Sequence, residues 1–150
     1  MLLHTLMMLL SPKKCKFTKN FSNKKIMSSV GAASCYNKYG NVVLIASESG
    51  KITNFQLESL RRFLRRFLKK KAQIFFRIFP NVPITKKPND VRLGRGKGNV
   101  KYWSSFVKKG SPVVEIRSYN DLLTIPVLKM SLLKLSTKTF TFNRQFRWIL

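Results

Sequence analysis

The chain has 150 residues, enough for one domain with one real core, and sets 30 Lys and Arg against five acids for a net charge of +25. With 44% of its residues hydrophobic it is not a disordered basic tail, yet so much charge strains a compact state unless a polyanion neutralises it. Nucleic acid is the partner that best accounts for a folded core in a basic coat; an anionic membrane surface is the rival.

Met1 to Leu10 is apolar, too short to span a bilayer, and lacks the charged lead and small-residue cleavage site of a secretory signal. The expectation from the start at Met1 is that no cleaved import signal was removed; an uncleaved one, or synthesis inside the compartment of use, stays open. Richness in Lys, Phe, Asn and Leu with few Gly and Ala is the bias that AT-rich organellar coding produces. Residues 11–39 read as an extended arm, with Lys13, Lys14, Lys16, Lys19, Lys24, Lys25 and Lys38 among Ser and Asn and no helical period. Such an arm orders against a polyanion. The expected organisation is an N-terminal extension and arm (1–39), an α/β domain (40–142) and a C-terminal tail (143–150).

Asn41 to Ala46 is a β-branched apolar run and the first predicted strand, with Gly50 closing the turn after it. Thr53-Asn54-Phe55-Gln56 is a capping box that starts a helix. Leu57, Leu60, Leu64, Phe67 and Leu68 form its apolar face, while Arg61, Arg62, Arg65, Arg66, Lys69, Lys70 and Lys71 take the remainder. Cations suit a helix C-terminus, but these repel one another with only Glu58 to relieve them, so an RNA-facing surface is favoured over a merely solvated one. Ile74 to Phe79 is a strand ended by Pro80, with Arg77 marking an incompletely buried face. Pro80, Pro83 and Pro88 keep the next stretch extended. Lys101–Val107 and Val113–Arg117 are expected to form a hairpin around Lys109-Gly110-Ser111. A second helix is predicted over Thr124–Leu135, with Pro126 in its first turn and Leu128, Leu132 and Leu135 inward, then a strand over Thr137–Phe142.

The motif with chemistry is Gly94-Arg95-Gly96-Lys97-Gly98. Glycine lets backbone approach an anion closely, and the interleaved cations supply charge. The dinucleotide fingerprint fails because its third glycine would be Asn99, and the phosphate-loop motif fails at Val91 and Gly98. RNA phosphate is the leading ligand; a passive basic turn is the alternative. Tyr102 and Trp103 could stack bases or simply join the core. His4, the one histidine, reads as a surface residue, and five scattered acids (Glu48, Glu58, Asp90, Glu115, Asp121) make triad or acid–base catalysis improbable. Cys15 and Cys35 lie twenty apart without a histidine partner, which excludes zinc-finger spacing and leaves two inert thiols. Neither an enzyme nor a metal or cofactor is expected.

Three segments resemble the ribosomal protein L-sixteen family of the large subunit, in its bacterial and organellar form. They are Ser11 to Lys19, Ile52 to Glu58 and, most specific, the run from Arg77-Ile78-Phe79-Pro80 through Ile84-Thr85-Lys86-Lys87-Pro88 to Val91–Trp103. The resemblance covers roughly Leu9 to Thr141. It implies an α+β fold of the α/β-hammerhead type, a small mixed sheet with two helices, a basic arm and a long Gly-rich loop. It also implies binding of large-subunit rRNA near the peptidyl-transferase region, help in forming the A site, and neighbouring ribosomal proteins as partners. The rRNA contacts it implies are Lys13, Lys14, Lys16, Lys19, Arg61, Arg62, Arg65, Arg66, Lys69, Lys70, Lys86 and Lys87. The loop expected near A-site tRNA and its surrounding rRNA comprises Arg92, Gly94, Arg95, Gly96, Lys97 and Gly98. Departures are the extensions Met1–Met8 and Arg144–Leu150, an arm over 26–38 without the usual Arg and Gly, and the bulkier Phe63, Phe67 and Phe75. Such drift fits an organellar ribosome, mitochondrial rather than plastid, which implies the mitochondrial matrix. A small-molecule substrate and stable membrane insertion are not expected; a membrane-surface or translocation factor using the basic helix is the alternative.

Overall fold

The computed structural model describes residues 10–20, 38–92, 94 and 96–143. The expectations for His4, Lys24, Lys25, Cys35, Arg95 and the two extensions lie outside the described residues. In chain order the elements are β1 (Val42–Ala46), β2 (Gly50–Thr53), α1 (Asn54–Leu68), β3 (Ala72–Phe76), β4 (Val82–Lys86), β5 (Asn99–Val107), β6 (Pro112–Ser118), α2 (Asp121–Ser131) and β7 (Thr139–Asn143). A short 3-10 turn, Leu132–Lys134, extends α2. The strands form two sheets, of order β3-β6-β1-β7 and β2-β5-β4. The α+β class holds; in place of one mixed sheet there are two, and every pairing is antiparallel.

β1 is apolar throughout because it is central, with β6 on one side and β7 on the other, and all five of its residues are buried. Gly50 does not merely close a turn; it opens β2, whose alternating burial was too short to register as a period. The expected hairpin does not form. β5 pairs with β2 and β4, β6 pairs with β1 and β3, and the turn between them carries the chain from one sheet to the other. That turn bonds to the end of β1: the Gly110 N–H donates to the Ala46 carbonyl at 2.8 Å, and the Ala46 N–H to Ser111 at 3.0 Å. Alternation reports a strand and its faces but not its partner. β3 lies two to three residues earlier than expected, and the Pro-bounded stretch after it contains β4. Pro83 is tolerated there because β4 is a sheet edge.

The capping box of α1 is formed as the sequence implies. The Gln56 N–H donates to the Thr53 hydroxyl at 3.3 Å and the Thr53 N–H to the Gln56 side-chain carbonyl at 2.9 Å. Leu57, Leu60, Leu64 and Leu68 are buried, but Phe67 is 52% exposed. It flanks the leucine stripe in the last turn and packs instead on Phe63, their ring centroids 4.7 Å apart. α2 starts at Asp121 rather than Thr124, because Asn120 caps it by accepting from the Leu122 N–H at 3.0 Å. Pro126 therefore falls in the second turn, where it cannot donate to the Leu122 carbonyl. Leu128 is buried, whereas Leu132 and Leu135 only pack partly against the core.

The core gathers the inner faces of both helices on β1 and β6, through Leu57, Leu60, Leu64 and Leu128 against Val42, Leu44, Val114 and Ile116. Leu10, at the root of the arm, joins it. A few Ser and Thr side chains are buried too, but among the described residues Glu115 is the one charged residue that is fully buried. Its carboxylate accepts from the successive N–H groups of Lys38, Tyr39 and Gly40 at 3.0, 2.6 and 3.1 Å, and from the Arg77 guanidinium. A buried carboxylate is tolerated only when paired and fully hydrogen-bonded. β3 is incompletely buried, as expected, and Arg77, just past its end, in addition makes an internal ion pair with Glu115.

Candidate nucleic-acid interface

The glycine loop leaves the end of β4 and returns at the start of β5. Gly94 and Gly96 have φ of +104° and +81°, with nothing near where a Cβ would stand, so it is backbone conformation rather than crowding that requires glycine there. Gly98 differs: a Cβ would sit 2.6 Å from the Lys86 carbonyl oxygen. Glycine at 98 lets the root of the loop close tightly on β4, while the other two let its tip bend in open solvent.

The first part of the arm lies against this loop. The Lys19 ammonium donates to the Lys97 carbonyl at 3.0 Å, and the Lys97 ammonium donates back to the Asn20 carbonyl. Lys87 reaches the Gly94 carbonyl. Lys13, Lys14, Lys16, Lys19, Lys86, Arg92 and Lys97 are exposed, and Lys87 is half-buried. The structure therefore brings arm and loop, about eighty residues apart in sequence, into one cationic edge. Tyr102 is half-buried and already engaged, with the Lys51 ammonium 3.2 Å from its hydroxyl and 5.2 Å from its ring centroid. Trp103 is half-buried opposite Pro83.

The cations of α1 divide in two. Arg61 is bidentate on Glu58, its side chain 15% exposed, and Arg62 reaches the same carboxylate at 3.0 Å. The Arg61 hydrogen bonds hold the Glu58 carboxyl below its ordinary range, against a lesser opposing push from burial and with further help from Arg62; in return Glu58 raises Arg61. Arg65, Arg66, Lys69 and Lys70 are exposed, and among the described residues no carboxylate lies against them. This end of the helix is where positive charge is least compensated.

A second basic concavity, unforeseen from the sequence, opens beside that helix end. A cleft of about 580 Å³ is lined by Asn41, Lys70, Lys71, Ala72, Gln73, Arg117, Ser118 and Tyr119. Gln73 and Arg117 face each other across β3 and β6, so only the strand pairing reveals that they belong together. Among the described residues no three His, Cys, Asp or Glu side chains gather as a metal site would need, and no helix is long and apolar enough to cross a membrane. Cys15 is a free, exposed thiol.

A family model described as ribosomal protein L16p/L10e matches residues 12–141. The chain is 37% identical over 136 residues to large ribosomal subunit protein uL16 of Acinetobacter baylyi, covering 91% of this chain and 98% of that protein. It is 38% identical over 133 residues to uL16 of Thioalkalivibrio sulfidiphilus and 39% over 131 residues to uL16 of Buchnera aphidicola, each match covering 87% of this chain and 94% of the relative. With all of its core but Leu10, its capping box and its glycine loop inside the matched span, the chain belongs to the ribosomal protein L16p/L10e family, whose members are structural proteins and not enzymes.

Proposed function

We propose that this chain is a structural constituent of a mitochondrial large ribosomal subunit. It binds large-subunit rRNA through the arm, the exposed end of α1 and Lys86–Lys87, and carries the glycine loop to the A-site tRNA region near the peptidyl-transferase centre. The observation that supports this reading best is the joining of arm and loop through Lys19 and Lys97, which puts conformable backbone beside a row of exposed cations. The mitochondrial setting, in the matrix, rests on compositional bias and on drift from bacterial relatives that are 34–39% identical. A membrane-surface factor is disfavoured because the four leucines of α1 are committed to the core, leaving no continuous apolar stripe for lipid.

Replacing Arg62, Arg65 and Arg66 with Gln tests the anchor, since Gln propagates helices nearly as well as Arg. The variant should keep the wild-type circular dichroism and melting temperature but fall off large-subunit particles in sedimentation at moderate salt. Affinity of the wild-type protein for an rRNA fragment should drop steeply with salt, each phosphate contact adding about 0.9 to the log–log slope. Co-sedimentation with vesicles instead of subunits would overturn the reading.

A further inference from the structure

Two segments distant in sequence, residues 70–73 and 117–119, converge with Asn41 on the cleft beside the end of α1. Lys70 and Lys71 come from the α1–β3 turn, Gln73 and Arg117 from paired positions on β3 and β6, and Tyr119 from the β6–α2 turn. No carboxylate lines it. Tyr119 is fully exposed, so it has no packing role, although a large aromatic ordinarily buries much of its surface. Tyr119 also borders an adjoining hollow of about 570 Å³, lined by Phe67, Leu123 and Val127 together with Lys69 and Lys71. The exposed Tyr119 is thus a ridge shared by two concavities, with cations in both and more apolar surface in the second.

The backbone leading to the cleft holds an unfavourable conformation at the C-cap of α1, where the Lys69 N–H donates to the Arg65 carbonyl at 2.9 Å. Lys69 has φ of +49° and ψ of −129°, a conformation that glycine adopts freely and a lysine does not. This turn ends α1, and Lys70 and Lys71 after it line the cleft with Arg117. Strain kept at such a position is ordinarily retained for what it presents.

We infer that this cleft is a second RNA site, separate from the arm and the glycine loop, and that it takes one unpaired nucleotide. The phosphate lies against Lys70, Lys71 and Arg117, and the base stacks on Tyr119. The pairing of a stacking ring with clustered cations is what single-stranded nucleic acid needs, whereas a paired base has no free face to offer Tyr119. Gln73, beside Arg117, is placed to hydrogen-bond an exposed base edge. The inference rests on the RNA-binding reading above.

The test uses the full chain, a labelled short oligouridine and a blunt RNA duplex of the same length. Tyr119→Ala should weaken oligouridine binding about tenfold, the magnitude of one lost stacking contact, and leave duplex binding unchanged. Tyr119→Phe, which keeps the ring, should bind as wild type. Arg117→Gln should lower the salt slope for oligouridine by about one, and ultraviolet cross-linking of the wild type should mark the Tyr119 peptide. Unchanged oligouridine binding by Tyr119→Ala, without a cross-link there, overturns the site while leaving the broader reading intact. Failure of the wild type to bind either RNA overturns the broader reading, and the site with it. A Tyr119→Ala protein that binds both RNAs normally but is lost from large-subunit particles would mean that the ridge meets a protein, which also overturns the nucleotide site.

Discussion

Helix α1 presents Arg65, Arg66 and Lys69 from a frame whose opposite side, Leu57 to Leu68, is locked in the core, whereas the glycine loop presents Arg92 and Lys97 from backbone that little covers. The helix fixes its charges before any partner arrives. The loop has its root set by Gly98 and its tip left adaptable by Gly94 and Gly96. Anchoring favours the first arrangement, because ordering entropy was met on folding; entry into a crowded site favours the second. The same residue types thus serve different ends according to what stands behind them.

Removing what stands behind the helix should have the largest effect. Leu64→Ala leaves a cavity at a fully buried position and should cost about 2–5 kcal/mol, read from urea denaturation. No single substitution in the tip of the loop should approach that.

Two valines separate the root of the loop from its tip. Gly98→Val drives a side chain into the Lys86 backbone and should cost about 1–3 kcal/mol, as overpacking does, visible as a lower melting temperature. Gly96→Val meets no neighbour and is opposed only by its positive φ, so the tip should reshape while the melting temperature stays put. Subunits carrying Gly96→Val should assemble but accommodate A-site tRNA poorly in a peptide-bond formation assay, more so than those carrying Lys97→Gln. Normal accommodation in both would leave the loop a passive turn.

The smallest effect belongs to the one carboxylate on the charged face of the helix. Glu58 is held below its ordinary value by Arg61 and Arg62. Its folded pKa is the lower one, so its contribution is complete above the ordinary carboxylate range and is lost as pH falls through the folded value. Glu58→Gln should therefore lower stability by under about 1 kcal/mol near neutrality, as surface pairs do. The gap between variant and wild type should start to narrow as pH falls through the ordinary carboxylate range and close once it is below the folded value. A gap that persisted in acid would mean that Glu58 acts through packing rather than charge.

Much of this fold was legible wherever one residue pattern answered one physical demand. The α1 capping box fixed its start to the residue, and the run Val42 to Ala46 named a strand buried on both faces. What escaped depended on pairing across long distances. β5 and β6 look like a hairpin in sequence because alternation says nothing about which strand lies alongside. Glu115 looked like one more scattered acid, since its four donors come from residues 38–40 and 77. For the interface, Lys13 to Lys19 and the glycine loop were readable from composition, but their mutual contact was not. Arg117 and Tyr119 carried no local signal of a site; Lys71, read only as one of the α1 cations, joins them when β3 pairs with β6.

Three consecutive backbone N–H groups converging with a guanidinium make a cradle that would hold a phosphate oxygen as readily as it holds the Glu115 carboxylate. The protein has filled this cradle with a counter-ion of its own. A tethered carboxylate cannot be washed out or outcompeted at the concentrations that free phosphate groups reach, so the cradle is closed to stray anions during synthesis. The direction in which residues 38–40 leave the sheet is accordingly settled by folding alone. In a chain of +25 charge, this junction is one place where the order of events does not matter: it is complete whether or not a polyanion has arrived.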